Sequence, residues 1–302
     1  VGGRLVSKRL QALSASASSM HVIIEEHSER MDPDHSVTHR VEGSISSLIG
    51  ALHIGLDSNG LNSARLLATL LSEASAAAEA ELEEAMRAPQ TDVGAVPASE
   101  IWVARHMCTV LTRGGCADEV LFASNSLPIR HLDGFCTKVP SILSNRGASG
   151  IDGIVHTAAG AAIGSVGRCT LLVGDLATLH DLNALATLKQ AAVSIVVVIL
   201  NNEGGGIFHH LPIASHKDIY SPYFDTPHTH KFGDVCRGFG LSYSAAADRA
   251  TFAEAFQRAR REGGPHVIEV STDKEAGHQE TLKLRATVRG VASSLAQAVN
   301  SL

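Results

Sequence analysis

Apolar positions along this 302-residue chain follow two patterns. Short continuous runs rich in Val, Ile and Leu read as strands buried on both faces, and longer stretches mixing Ala and Leu with charges read as helices. Strands are predicted at Met20–Glu25, Val120–Ala123, Ser141–Leu143, Cys169–Val173, Ser194–Leu200 and His266–Ser271. Helices are predicted at Leu66–Arg87, Ala98–Leu111 with Ser99 as N-cap, Gly153–Val166, Asp181–Gln190, Ala250–Glu262 and Thr287–Val299, and less cleanly within Val41–Leu56. From residue 120 onward strands and helices alternate, which predicts an α/β fold with a parallel sheet flanked by helices. Ala88–Pro97, with its prolines and glycine, reads as a seam between domains, giving 1–88 and 89–302.

Composition narrows the possibilities. Lys plus Arg number 25 against 31 Asp plus Glu, an acidic balance that argues against nucleic-acid binding. The longest apolar run is Ala191–Leu200, half of the roughly 20 residues that span a bilayer, so no membrane span is expected. The 5 cysteines form no C-x-x-C, which predicts reduced, buried thiols and no zinc cluster. The start, Val1-Gly2-Gly3-Arg4-Leu5, resembles no targeting peptide and reads like the inside of a domain, so the chain is expected to be a fragment.

The chemistry gathers where strands end. Asn125, Asn145, Asp175 and Asn202 each follow a predicted strand, and in open parallel sheets ligands bind at the strands' carboxyl ends. Asp175 and Asn202 lie 27 positions apart, the size of a strand–helix–strand unit, which would bring both side chains to one edge. A carboxylate and an amide oxygen suit magnesium, which takes about six oxygens and shares them with phosphate and water. A carbonyl from Gly204-Gly205-Gly206 would add a third ligand, and Gly174 and these glycines let backbone approach phosphates closely.

The Gly174-Asp175…Asn201-Asn202 spacing resembles the diphosphate-binding motif of thiamine-diphosphate enzymes. Around it stand Asn125-Ser126-Leu127-Pro128-Ile129-Arg130, the run Ser144 to Gly153 (SNRGASGIDG), His180 to Leu185 (HDLNAL) and Asn201 to Phe208 (NNEGGGIF). In that order, with Thr226-Pro227-His228 and Phe232, they resemble the 2-succinyl-5-enolpyruvyl-6-hydroxy-3-cyclohexene-1-carboxylate synthases of menaquinone and phylloquinone synthesis. Asp32–Arg40 is similar to plant and algal members, in which the synthase is part of a fused multi-enzyme protein.

The resemblance implies thiamine diphosphate and magnesium (or manganese) as cofactors. It implies decarboxylation of 2-oxoglutarate and addition of the remaining carbon nucleophile to isochorismate, the cofactor carrying the chemistry. Residues 1–88 would be the later part of the central domain and 89–302 the diphosphate-binding domain. Asp175, Asn202 and the Gly204 carbonyl would hold the metal; Gly174, Leu176 and Gly205 would cradle the diphosphate. Ile151, stiff at χ1, would support the bent cofactor, and Asn125 would contact it. Arg130 and Arg146 would clamp substrate carboxylates as only guanidinium can, beside Ser126, while Ile207, Phe208 and Leu211 would face the isochorismate ring. The glutamate that activates the cofactor belongs to a first domain not present here, so this polypeptide alone is expected to be inactive, the complete protein a homodimer or tetramer. A plastid would house a plant or algal protein, the cytoplasm a bacterial one.

Other readings stand beside this one. Another thiamine-diphosphate decarboxylase or acetolactate-synthase-like enzyme shares the motif, but the arginine pair favours a substrate with several carboxylates. A non-catalytic scaffold fragment is a third. A Rossmann-type nucleotide module lacks support, since neither G-x-G-x-x-G nor G-x-x-x-x-G-K-[ST] occurs. The 16 histidines read as surface or supporting residues, Trp102 as a helix anchor, and Arg258, Arg260 and Arg261 as a solvated helix face.

Overall fold

The structure, a computed structural model, describes residues 6–16, 20–29, 32, 34–55, 58–87, 94–113, 119–164, 168–191 and 194–300. The chain divides into two compact units, Val1–Ala78 with Leu295–Leu302, and Glu79–Ser294. The division falls inside a long helix. Of the predicted seam, residues 88–93 lie outside the described residues, whereas Val96, Pro97 and Ala98 are bonded to the 247–249 segment.

The first unit holds α1 (Lys8–Ala15), β1 (Val22–Glu25), β2 (His39–Glu42), α2 (Ile45–Gly55) and most of α3 (Ser58–Ala85). β1 and β2 run parallel, with Ile24 opposite Val41. His21 fixes the connection between them, its Nδ1 3.0 Å from Ser36 Oγ and its backbone N donating to Thr38 Oγ1. The buried Glu25 carboxylate is paired with Arg40 at 3.1 Å. The predicted strand forms here; its partner β2 is short and polar and carries no strand signal.

The second unit contains α4 (Glu100–Arg113), β3 (Glu119–Ala123), α5 (Leu127–Phe135), β4 (Ile142–Leu143), α6 (Ile154–Gly164), β5 (Arg168–Gly174), α7 (Asp175–His180), α8 (Ala184–Ala191) and β6 (Ser194–Asn201). These are followed by α9 (Lys217–Tyr220), α10 (Gly233–Gly238), β7 (Ser242–Ala246), α11 (Arg249–Glu262), β8 (His266–Ser271) and α12 (Lys274–Asn300). Six strands form one all-parallel sheet in the order β4-β3-β5-β6-β8-β7. The strand period of two splits their residues between two layers. Phe122, Leu171, Val173, Val197, Ile199 and Val267 pack with α6, α8 and α10. The alternate residues Leu172, Val196, Val198, Ile268 and Val270 are buried on the opposite face, where α11 contacts β6, β7 and β8. This is the predicted α/β sandwich.

Local chemistry sets the helix starts. Ser99 Oγ accepts from Trp102 N at 3.2 Å at the head of α4, and Asp248 and Thr251 form a reciprocal capping box at the head of α11. Asp181 Oδ2 accepts the Val155 and His156 amides, closing the head of α6. Trp102 anchors its helix as expected, with Phe252 edge-on at 6.1 Å and the Arg249 guanidinium over its ring.

Several elements depart from the sequence reading. α7 starts directly at Asp175, too short to show helical periodicity. α12 begins at Lys274, thirteen positions before the predicted Thr287, because its first turns are polar. β7, at the sheet edge, was masked by its serines and alanines. The basic face of α11 is not solvated throughout: Arg260 pairs with buried Glu119 at 2.7 Å, while Arg258 and Arg261 are exposed, Arg258 donating to Ser244 Oγ at 2.8 Å. Their long stems let the charges reach back over the helix to buried acceptors. The described cysteines 108, 136, 169 and 236 are thiols, three of them buried; Cys116 lies outside the described residues.

Candidate functional site

Parallel strands deliver their carboxyl ends to one edge. Asn125 follows β3, Asn145 follows β4, Asp175 follows β5 and Asn202 follows β6, so the four polar ends share one rim. A cleft of about 390 Å³ opens there. It is lined by thirteen residues singled out in the sequence: Asn125, Ser126, Arg130, Arg146, Ile151, Gly174, Asp175, Leu176, Asn202, Gly204, Gly205, Ile207 and Phe208. Two are not in that lining: Asn145, whose Nδ2 donates to Thr157 Oγ1 at 3.0 Å, and Leu211. The 3-10 turn Gly206–His210 ends before it, the backbone extends, and its side chain is 42% exposed and away from the cleft lining.

Asp175 is buried at the floor. Its Oδ1 accepts from Leu176 N at 2.6 Å and its Oδ2 from Gly204 N at 3.1 Å. Burial pushes its carboxyl above the usual range, and these two bonds and nearby His228 only partly offset this. Asn202 lies across from it. Its Nδ2 donates to Glu100 Oε1 at 2.7 Å, while Oδ1 is buried and accepts no hydrogen bond. Buried acceptors are almost always paired, so an orphaned amide oxygen beside a carboxylate in an open cleft fits a hard cation. The Gly204 carbonyl accepts from Gly206 N at 3.1 Å and keeps its second lone pair.

The glycine run is tightly enclosed. Gly204 has φ +151°, and a Cβ there would collide with the Asp225 carbonyl and stand 3.2 Å from Lys274 Nζ. A Cβ on Gly206 would lie 2.6 Å from Asn202 Nδ2. Lys274, paired with Asp225 at 2.6 Å and donating to the Glu203 carbonyl, fastens this loop to the start of α12. Backbone thus forms a wall that a diphosphate could approach. Among the described residues no group of three or more His, Cys, Asp or Glu is placed to hold a metal ion.

The opposite wall is cationic. Asn125 holds the 145–150 loop through Nδ2, donating to the Asn145 and Gly150 carbonyls, and accepts from Arg146 Nη1 at 2.7 Å. Arg130 Nη1 donates to the Ser126 carbonyl at 2.6 Å. Burial and the Arg146 charge lower the Arg130 guanidinium from its usual value, yet it stays cationic. Two guanidinium groups lining one cleft suit a multivalent anion. Backbone strain gathers on the same rim, with positive φ at Ser126 (70°), Ser149 (59°), Glu203 (61°) and Thr226 (41°).

Sequence reasoning gave no role to two buried groups. Glu100 also lines the cleft, its Oε2 2.9 Å from His131 Nε2. His228 Nε2 stands 3.3 Å from Asp175 Oδ2. Glu100 sits in no recognisable motif; His228 belonged to one, but its neighbourhood shows only in three dimensions.

Residues 136–270 match the C-terminal TPP binding domain of thiamine pyrophosphate enzymes. A 2-succinyl-5-enolpyruvyl-6-hydroxy-3-cyclohexene-1-carboxylate synthase of Rubrobacter xylanophilus is 43% identical over 291 residues, covering 94% of this chain and 48% of the relative. Proteins of the same name from Chlorobium chlorochromatii (37% identity, 97% of this chain and 49% of the relative) and Salinibacter ruber (38%, 95% and 47%) match similarly. The chain spans about half the length of the curated relatives it matches. Over nearly its whole length the chain is thus similar to these synthases, and its residues 136–270 match the TPP binding domain.

Proposed function

We propose, from that similarity, that the cleft binds thiamine diphosphate through magnesium or manganese and that the complete protein joins 2-oxoglutarate to isochorismate. The observation that carries the cation site is the orphaned Asn202 Oδ1 beside Asp175. Asp175, Asn202 Oδ1 and the Gly204 carbonyl would hold the cation; Gly174, Leu176 and Gly205 would border the diphosphate, with Ile151 and Asn125 near the ring. When bound, the cofactor supplies a thiazolium carbon that accepts electron density as carbon dioxide leaves a 2-oxo acid.

The chain's own groups bind and orient. Arg130 and Arg146, with Ser126, would position substrate carboxylates; Ile207 and Phe208 would offer an apolar wall to the ring of isochorismate. The presence of both cations in one cleft favours a polycarboxylate over the monocarboxylate of an acetolactate-type enzyme. The carboxylates lining the cleft, Glu100 and Asp175, are both engaged by neighbours; the resemblance, not the cleft, implies that a glutamate of another domain does the acid–base work on the cofactor. On this reading 1–88 is part of a central domain, 89–302 is the diphosphate-binding domain, and the complete protein is a homodimer or tetramer. Among the described residues no helix is long and apolar enough to cross a membrane, and the bacterial relatives favour a cytoplasmic setting over a plastid.

Calorimetric titration of the intact polypeptide with thiamine diphosphate, with and without magnesium, tests the site. Asp175→Ala is expected to abolish magnesium-dependent binding, a loss beyond the roughly 10–100-fold that groups outside a ligand shell contribute. Equal affinity in the variant and the wild type would overturn the assignment.

A further inference from the structure

We infer that Glu100, held by His131, is a positioning residue that fixes which end of the Asn202 side-chain amide faces the cleft. The inference rests on the cleft being a cation–diphosphate site and names how that site is kept in register.

A primary amide has nearly the same shape at both ends, but its chemistry is opposite. The oxygen is a cation ligand; the NH2 group repels a cation. An asparagine serves a metal only if something decides its orientation. Glu100 Oε1 lies 2.7 Å from Asn202 Nδ2, and an ionised carboxylate only accepts. Turning the amide over would bring Oδ1 against that carboxylate, removing a hydrogen bond and setting two acceptors face to face. The NH2 end must therefore face Glu100, and Oδ1 must face away from it, buried and without a hydrogen-bond partner. Gly206 closes the amide's flank, since a Cβ there would stand 2.6 Å from Nδ2.

Glu100 is itself immobilised. It is the first residue of α4, directly after the capping Ser99. Its Oε2 is 2.9 Å from His131 Nε2 on α5, and its Oε1 also accepts from Thr272 Oγ1 at 3.3 Å, just beyond β8. Glu100 is 5% exposed and His131 4%. A buried carboxylate is costly compared with an apolar side chain of similar size. Of its three partners, the hydroxyl can rotate and the imidazole can change tautomer. The amide is the partner for which the choice of end matters.

The test is Mn²⁺ binding in the presence of thiamine diphosphate, followed by electron paramagnetic resonance of free Mn²⁺ in the intact polypeptide, well below the melting temperature of each variant. Glu100→Leu is expected to weaken Mn²⁺ binding by about 10–100-fold, the range for groups that orient a metal ligand. Glu100→Gln keeps an acceptor for the amide and should stay within a few-fold of wild type. The decisive variant is Glu100→Leu with Asn202→Asp: a carboxylate presents oxygen at either end, so orientation ceases to matter and affinity should recover. A purely structural role for Glu100 would lower stability in all of these without that recovery. Wild-type affinity in Glu100→Leu, or no recovery in the double variant, would overturn the inference. Should neither Leu variant fold, a loss of more than tenfold in Glu100→Gln would overturn it, and retained affinity would uphold it. Asp175→Asn separates the two levels: if it too binds Mn²⁺ as wild type does, the cation site itself is wrong; if it alone loses binding, only the role of Glu100 falls.

Discussion

The two ends of the parallel sheet solve the same problem in opposite ways. At the amino end of β3, Glu119 is 4% exposed, and both its oxygens are used: Oε1 accepts from Thr170 Oγ1 at 2.7 Å and Oε2 pairs with Arg260 at 2.7 Å. At the carboxyl end, Asp175 and Glu100 are about as buried, but the polar network around them is incomplete, with Asn202 Oδ1 and His228 Nε2 buried and without a hydrogen bond. A closed network stabilises the fold; an unfinished one leaves room for a ligand. Buried charge alone therefore does not distinguish the two ends of the sheet, whereas an unmet acceptor does.

Cutting the closed end gives the largest effect on stability. Arg260→Met strands the Glu119 charge, and the expected loss is about 3 kcal/mol, the lower end for breaking a buried pair because Arg260 keeps some contact with water. Urea denaturation would show it, and thiamine-diphosphate affinity should not change. A loss of affinity of similar size would mean that the two ends are coupled.

A smaller, pH-dependent effect is expected at the open end. Burial alone would raise the Glu100 carboxyl, but its contacts with His131, Asn202 and Thr272 outweigh this and hold it below the ordinary value of 4.5. A depressed folded value contributes stability that is present above the unfolded pKa and is lost as pH falls through the folded one. The urea midpoint of Glu100→Gln should thus fall below that of wild type at neutral pH, and the gap should close on acidification below about 4.5. A gap that widens with acid would show the sign to be wrong.

The smallest effect belongs to a polar group on the carboxyl side whose network is complete. Asp248 follows β7, and its bonds to Thr251 lower its carboxyl. Asp248→Ala should reduce the melting temperature slightly at pH 7 and less at pH 3, with binding untouched.

Most of this architecture was legible before any coordinates. The apolar runs at 169–173 and 194–200 could only be doubly buried strands, and the polar residues after them had to share an edge. What escaped were features with no periodicity of their own. β7 is legible only through its pairing with β8, and Leu211 leaves the cleft because a 3-10 turn ends one residue earlier. Glu100 was invisible for a related reason: its partners Asn202 and Thr272 are 102 and 172 positions away.

That separation sets a timetable. β8 is the last strand in sequence but lies between β6 and β7, and β7 is bonded to β8 alone. A growing chain that has reached residue 265 holds four paired strands, a β7 with no neighbour, and neither the Glu269 carboxylate that binds Asn201, Phe232 and Tyr243 nor Thr272. Contacts spanning such distances close late. The bonds that Glu269 and Thr272 lend to Asn201 and Glu100 behind the cleft are then closed late, and a nascent chain on the ribosome should hold the cleft in register only after strand β8 has slotted into place.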